Sequence, residues 1–265
     1  MGSSPTLATI RSKTYAGGEH PKYTCVVAKA GATTPVLVKF SPAGADSVSR
    51  RWADLLVCEH LAITALNKAG VTESITELHQ GDGQVFLEAK RFDRVGLMGR
   101  RGVVSLSAID DSLIGRRENW IRSARSLLAH SRISQRDLER IRRIEIFGRL
   151  IGNTDMHPGN LSFFLSFDGP LVLAPIYDML PMMYAPTAAS TIPDRDFGLP
   201  LPNADSLDIW PDIAGIAMRY WTAVASHRLI SPEFSGIAMR NSDLVRRAAG
   251  QVRQCRFLRL DSWNR

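Results

Sequence analysis

Residues 151–165 read IGNTDMHPGNLSFFL, and residues 171–180 read LVLAPIYDML. The first stretch opens polar and glycine-bearing and closes apolar, so a loop over residues 152–160 leads into a strand over Leu161–Ser166. Asp168-Gly169 is a hairpin signal, and Leu171–Ala174 reads as the returning strand. Asp155 and Asn160 therefore share one loop, five residues apart, while Asp178 follows the second strand. Three oxygen-bearing side chains in that layout suit phosphoryl transfer from a nucleotide. One carboxylate orients an attacking hydroxyl and takes its proton. An Asn carbonyl and a second carboxylate hold Mg²⁺ on the phosphates, because hard cations prefer oxygen ligands.

An Asp-x-x-x-x-Asn loop followed by a strand-end Asp is one part of the kinase signature, so its other parts are sought upstream. Lys39 lies inside VLVKF (residues 36–40), where an ammonium is costly unless it is paired or meets a ligand. Glu59 sits on the helix expected from Asp46 or Ser47 to Lys68, with Gly70 as its stop, and is its candidate partner. Glu73 and Asp54 are possible substitutes. Gly17 and Gly18 in AGGEHPK (residues 16–22) would let backbone N–H groups approach phosphate oxygens, although a plain hairpin also explains them. The segment is not a GxxxxGK[ST] loop, which disfavours a Walker-type ATPase. Around these residues, Tyr23–Ala28, Pro35–Phe40, Glu73–His79 and Gln84–Ala89 read as strands. Gly31-Ala32-Thr33 and Gly81-Asp82-Gly83 read as turns. Arg94–Val103 reads as loop, and Glu118–His130, Ser134–Ile151, Trp210–His227 and Pro232–Arg256 read as helices.

In this order the motifs AGGEHPK, VLVKF, the Glu59 helix, KRFDR (residues 90–94), GNTDMHPGN (152–160) and APIYDML (174–180) resemble the HipA-like serine/threonine kinases, toxin halves of bacterial toxin–antitoxin systems. The resemblance implies an α+β, two-lobed protein-kinase-like fold, with a β-rich N-lobe over residues 1–92 and a helical C-lobe over 93–265. It implies ATP and Mg²⁺ as cofactors, Lys39 on the phosphates, Asp155 as catalytic base, and Asn160 and Asp178 as metal ligands. The backbone of Lys90–Phe92 would meet adenine, Asp93 would support that hinge or the ribose, and His157 would brace the catalytic loop. Family members are switched off by autophosphorylation of a serine just before the glycine loop, where Thr14 stands here, with Ser12 two residues earlier. The hinge departs from the more usual ERFDR by carrying Lys90, and the glycine loop is longer than the usual AGAQxK. Long family members carry an extra N-terminal subdomain. This chain begins almost at the loop, so it is either a short kinase whose missing part is a separate protein or a fragment.

The rest of the composition narrows the classes. The chain has 265 residues, 45% of them hydrophobic, which is enough for a core. Its longest nearly apolar stretch, Leu171–Pro186, is broken by Asp178 and three prolines, so no membrane span is expected. MGSSPTLATIRSK shows no apolar signal region, and Cys25, Cys58 and Cys255 are widely spaced, so reduced thiols in the cytoplasm are expected. The net charge of +7 raises nucleic acid as a partner. Arginine-laced helix faces balanced by Asp137, Glu139 and Glu145 account for it without one, and any DNA contact is expected through an antitoxin. Only six lysines occur, none after Lys90, so Lys39 stands out in its apolar strand. The acceptor is expected to be a protein, with an aminoacyl-tRNA synthetase as the class the resemblance brings. Two alternatives stay open: a small-molecule phosphotransferase of the aminoglycoside or choline type, which shares Asp-x-His-x-x-Asn, and a non-catalytic antitoxin- or DNA-binding module with a degenerate ATP site.

Overall fold

The computed structural model describes residues 21–29, 31–116 and 118–261, with residues 255–261 by backbone alone. Ser12, Thr14, Gly17 and Gly18 lie outside the described residues, as does all of AGGEHPK except Pro21 and Lys22.

The first part is an antiparallel sheet of four strands in the order β1-β2-β4-β3. They are β1 (Lys22–Lys29), β2 (Ala32–Phe40), β3 (Thr76–Gly81) and β4 (Gln84–Lys90). Lys29 pairs with Ala32, so the first hairpin turns between these two residues. Gly31 takes φ 80°, the left-handed value that a two-residue hairpin turn demands. Ala32 and Thr33, read above as turn, are therefore ladder residues. The second hairpin turns on Asp82 and Gly83, both left-handed at φ 49° and 73°.

Between β2 and β3 runs α1 (Ser47–Lys68), whose first turn is capped by Asp46 Oδ1 accepting from the N–H groups of Val48 and Ser49 at 2.9 Å each. Gly70 ends it at φ 67°. The helix buries Leu55, Leu56, Cys58, Ala62 and Leu66 in a core shared with Val85 and Leu87 of β4. Strand β3 starts three residues later than its sequence pattern indicates. The preceding segment is committed elsewhere: Ser74 Oγ donates to the Ile176 carbonyl at 2.6 Å, and Ile176 N–H donates to Thr72 Oγ1 at 3.1 Å.

Arg94–Val103 is more ordered than its composition indicates, forming a minimal hairpin of β5 (Arg94–Val95) and β6 (Gly99–Arg100). Next, β7 (Val103–Ser105) runs into a single turn, α2 (Leu106–Ile109), and a wider turn at Asp110–Ile114. Strand β7 joins β8 (Ser162–Phe164) and β9 (Val172–Leu173) in a small sheet, and the loop over residues 152–160 leads into β8. The remaining helices are α3 (Trp120–Ala129), α4 (Gln135–Leu150), α5 (Trp210–Ser226) and α6 (Pro232–Asp261). Their core is aromatic: Trp120, Phe147, Trp210, Tyr220, Trp221 and Phe234 are buried. Helix α1 also packs on α5, so the sheet part and the helical part share one continuous core. No described helix is long and apolar enough to cross a membrane.

Candidate active site

Side chains alternate across a strand, so Leu37 and Lys39 share one face of β2 while Val36 and Val38 take the other. Lys39 lies opposite Leu87, on the face that α1 covers. A helix presents positions four apart on one stripe, and Cys58, Glu59, Ala62, Ile63 and Leu66 keep that spacing toward the sheet. Glu59 thus reaches Lys39. Lys39 Nζ donates to both carboxylate oxygens at 2.7 Å, and the two side chains are 6% and 3% exposed. Neither substitute takes the place of Glu59. Asp54 instead accepts the N–H and hydroxyl of Ser231 at 2.7 Å each.

Asp178 completes the cluster. Lys39 Nζ also donates to Asp178 Oδ1, and Asp178 N–H donates to Glu59 Oε1 at 3.1 Å. Its backbone is left-handed at φ 54°, rare for a residue with a side chain. Burial works against the Lys39 ammonium, but the charges of Asp178 and Glu59 outweigh it and hold the Lys39 pKa well above its ordinary value. Burial pushes the Glu59 pKa up, Asp178 adds to that, and Lys39 opposes it.

The loop over residues 152–160 is built by its own short side chains. Asn153 Oδ1 accepts the Asp155 N–H at 3.1 Å, while Asn153 Nδ2 donates to the Asp178 carbonyl at 3.2 Å. One amide therefore ties the Asp155 loop to the Asp178 loop. Asn160 Nδ2 donates to the Asp155 carbonyl at 2.8 Å, which leaves its Oδ1 for a cation. His157 Nδ1 accepts the Gly159 N–H at 3.0 Å, so a neutral ring carries its proton on Nε2, 4.0 Å from Asp155 Oδ1. Gly159 lets the His157 ring sit this close, since a Cβ there would lie 2.7 Å from the ring and the ring would have to shift. From outside, Trp120 Nε1 donates to the His157 carbonyl at 3.2 Å, and the Tyr177 hydroxyl donates to the Gly159 carbonyl at 3.0 Å. Asp155 itself is 54% exposed at its side chain, open to an incoming molecule.

These residues line one cleft with two ends. A cavity of about 570 Å³ holds Lys39, Asp155, His157 and Asp178. A second, of about 630 Å³, shares Lys22, Lys39 and Asp178 with it and extends along Lys90, Arg91, Phe92, Asp93 and Tyr177. At that second end Phe92 stacks on Tyr177 with centroids 5.9 Å apart and meets Phe164 edge-on. Lys90 N–H donates to the Ile75 carbonyl and Arg91 N–H to the Pro35 carbonyl, at 2.9 and 3.0 Å. Asp93 is gripped by Arg91 through bonds of 2.9 and 2.6 Å. Burial opposes its charge, but Arg91 and Arg94 hold its pKa below the ordinary carboxylate value. It is thus engaged by the arginines on either side of Phe92-Asp93.

The structure brings Lys39, Glu59, Lys90, Phe92, Asp93, Asp155, His157, Asn160 and Asp178 to this cleft or its supporting shell. Sequence reasoning passed over Asn153, whose signal was an Asn two residues before the loop Asp, the spacing of an Asx-turn. It also passed over Arg195, which lines the Asp155 end from a proline-rich segment with no pattern to betray it.

A model of the HipA-like C-terminal domain family matches residues 14–227. The chain is 38% identical over 239 residues to Toxin YjjJ of Escherichia coli strain K12, covering 89% of this chain and 54% of that protein. The chain thus spans about half the length of this curated relative. Among solved structures, the fold is similar to the proinflammatory kinase CtkA of Helicobacter pylori, with a TM-score of 0.64, 15% identity and 97% of each chain covered. It is also similar to the HipA toxin–antitoxin system of Shewanella oneidensis MR-1, solved with HipB and operator DNA. There the TM-score is 0.58 at 15% identity, with 93% of this chain and 66% of that chain covered. At 15% identity these two likenesses concern the fold, which is α+β, two-lobed and kinase-like.

Proposed function

The chain belongs to the family of HipA-like C-terminal domains, and from that premise we propose that it is an ATP- and Mg²⁺-dependent serine/threonine protein kinase, the toxin of a toxin–antitoxin pair. The observation that carries the reading is the buried cluster of Lys39, Glu59 and Asp178 at the wall of a cleft that also holds Asp155. A lysine buried to 6% exposure against two carboxylates is an expensive arrangement, and a phosphate-binding role accounts for it.

In this reading the N-lobe ends at residue 92 and the C-lobe begins at 93, with the base against Phe92 and the phosphates on Lys39. The metal donors are the oxygens of Asn160 and Asp178. They fit Mg²⁺ because both are hard, and because Asn160 has its Nδ2 occupied by the Asp155 carbonyl. Bound Mg²⁺ would neutralise charge on the phosphates. Asp155 takes the proton of a serine or threonine hydroxyl as that oxygen bonds to the γ-phosphorus and the bond to the ADP oxygen breaks. Asn153 and His157 keep Asp155 in place, and Glu59 keeps Lys39 in place. Exposure of Asp155 suits a large acceptor.

The acceptor is a protein of the translation machinery, an aminoacyl-tRNA synthetase being the class the family implies. An antitoxin, or a separate protein similar to the N-terminal subdomain of long family members, is the expected partner, and the compartment is the cytoplasm. Ser12 and Thr14 are the candidate autophosphorylation sites. Phosphosite mass spectrometry of a cell lysate incubated with the protein, ATP and Mg²⁺ tests the reading. The expected result is one or a few new phosphoserine or phosphothreonine sites on proteins. Label confined to small molecules would move the assignment to an aminoglycoside- or choline-type phosphotransferase.

A further inference from the structure

Among the described residues three cations line the Asp155 end of the cleft: Lys22, Lys39 and Arg195. Two of them have a clear assignment. Lys39 is held by Glu59 and Asp178, and Lys22 lines both ends of the cleft, as a group serving the phosphates would. Arg195 differs on both counts. It lines the Asp155 end but not the nucleoside end, and it makes no ion pair among the described residues. Its neighbours Asp194 and Asp196 are exposed and do not line the cavity.

Its position is nevertheless fixed. Arg195 Nη1 donates to the Met183 carbonyl at 3.3 Å, and Met183 N–H donates to the Gly152 carbonyl at 3.1 Å, at the start of the Asp155 loop. Two residues on, Phe197 packs edge-on against buried Trp221 with centroids 6.2 Å apart. The exposed guanidinium is thus bonded once to the segment that meets the Asp155 loop, its backbone is held nearby by Phe197, and among the described residues it has donors to spare and no carboxylate partner. Such a group takes a carboxylate or phosphate in a bidentate bond. At this end an anionic acceptor would otherwise meet Asp155 and Asp178, which repel it.

We propose that Arg195 is an acceptor-specificity residue: it receives an anionic side chain, a carboxylate or a phosphate, carried beside the hydroxyl that is to be phosphorylated. The proposal rests on the protein-kinase reading and names its substrate class as acidic or already phosphorylated segments.

The test uses fluorescent peptides with one central serine flanked by Glu, by phosphoserine, by Gln or by Arg. Their affinity for the full chain is measured by anisotropy with Mg²⁺ and a non-hydrolysable ATP analogue, and their phosphorylation with ATP. The Glu or phosphoserine peptide is expected to bind about tenfold tighter than the Gln peptide, the scale of one charge-assisted hydrogen bond. Arg195→Gln should erase that ratio, and Arg195→Glu should turn it toward the Arg peptide. A merely misfolded variant would lose affinity for all peptides alike and could not reverse the preference. The stronger of the Glu and phosphoserine peptides identifies the source of the anion. Equal binding of Glu, phosphoserine and Gln peptides by the parent protein, or a preference that survives Arg195→Gln, overturns the proposal. Selective, Arg195-dependent binding with no phosphate transfer to any peptide or lysate protein would support the anion site and reject the kinase reading instead.

Discussion

Lys39 is a buried cation with two anionic neighbours, and removing Lys39 differs in size and in pH dependence from removing Asp178. Lys39→Met leaves Glu59 buried without its counter-ion, which costs about 3–5 kcal/mol near neutral pH. Burial already raises the Glu59 pKa, and losing Lys39 raises it further. The folded variant then binds a proton that the unfolded chain releases, so its stability rises as pH falls. In the parent, Lys39 has a raised pKa, and its contribution is complete below the unfolded value of about 10.4 and lost only above it. The gap in melting temperature between parent and Lys39→Met should therefore narrow from pH 8 to pH 5. A constant gap contradicts the pairing. Asp178 behaves differently, because its left-handed backbone carries strain that glycine relieves. Asp178→Gly leaves Lys39 paired with Glu59, so it should melt within about 1 kcal/mol of the parent, the lost pair with a carboxylate that is 32% exposed offsetting the relief, yet transfer no phosphate. Retained transfer would remove Asp178 from the metal site. Both Lys39 and Asp178 were legible in the sequence because each sits in an apolar run where a charge is anomalous. Arg195 was not, since its segment has no periodicity and only the folded cleft shows what it faces.

Helix α1 is the element that decides whether Lys39 is presented correctly, and it is anchored to the helical part by Arg51. Arg51 Nη1 donates to the Tyr184 carbonyl at 3.1 Å, Nη2 pairs with Glu233 at 2.8 Å, and the guanidinium lies 5.1 Å from the centre of the Phe234 ring. Glu233 is 63% exposed, so the ion pair itself is worth little. The buried contacts are what fix the helix. Arg51→Ala should cost about 1–3 kcal/mol, by stranding the Tyr184 carbonyl, and should raise the KM for ATP as Glu59 loses its fixed position. Glu233→Ala should change stability by less than about 1 kcal/mol. Equal effects of the two substitutions would show that the salt bridge, not the burial, holds α1. The ends of α1 were readable from Asp46 and Gly70, because capping chemistry is local. The start of β3 was not, because Thr72 and Ser74 are held by Ile176, about a hundred residues away. Strand β7 and the hairpin of β5 and β6 are too short to leave a period; β7 exists because β8 offers it a partner.

At the scale of the whole molecule, the cleft lies where the sheet part and the helical part meet over a shared core. A ligand that bridges the cleft binds only the folded chain, so it must stabilise it. At a hundred times its dissociation constant, ATP with Mg²⁺ should add about 2.7 kcal/mol, roughly 5–10 °C in Tm for a chain of this size. No shift would favour a degenerate site. The order of the motifs along the chain is what made the architecture legible, since each motif is a short element that must converge on one nucleotide. The tertiary ties that make them converge, Asn153 to Asp178 and Asp178 to Glu59, are invisible until the chain folds. The most direct measurement is transfer of labelled γ-phosphate from ATP·Mg²⁺ to lysate proteins by the parent chain and by Asp155→Asn, with melting curves for both. The account predicts labelled protein bands with the parent, none with Asp155→Asn, and matching melting curves. Undiminished labelling by a folded Asp155→Asn would contradict it.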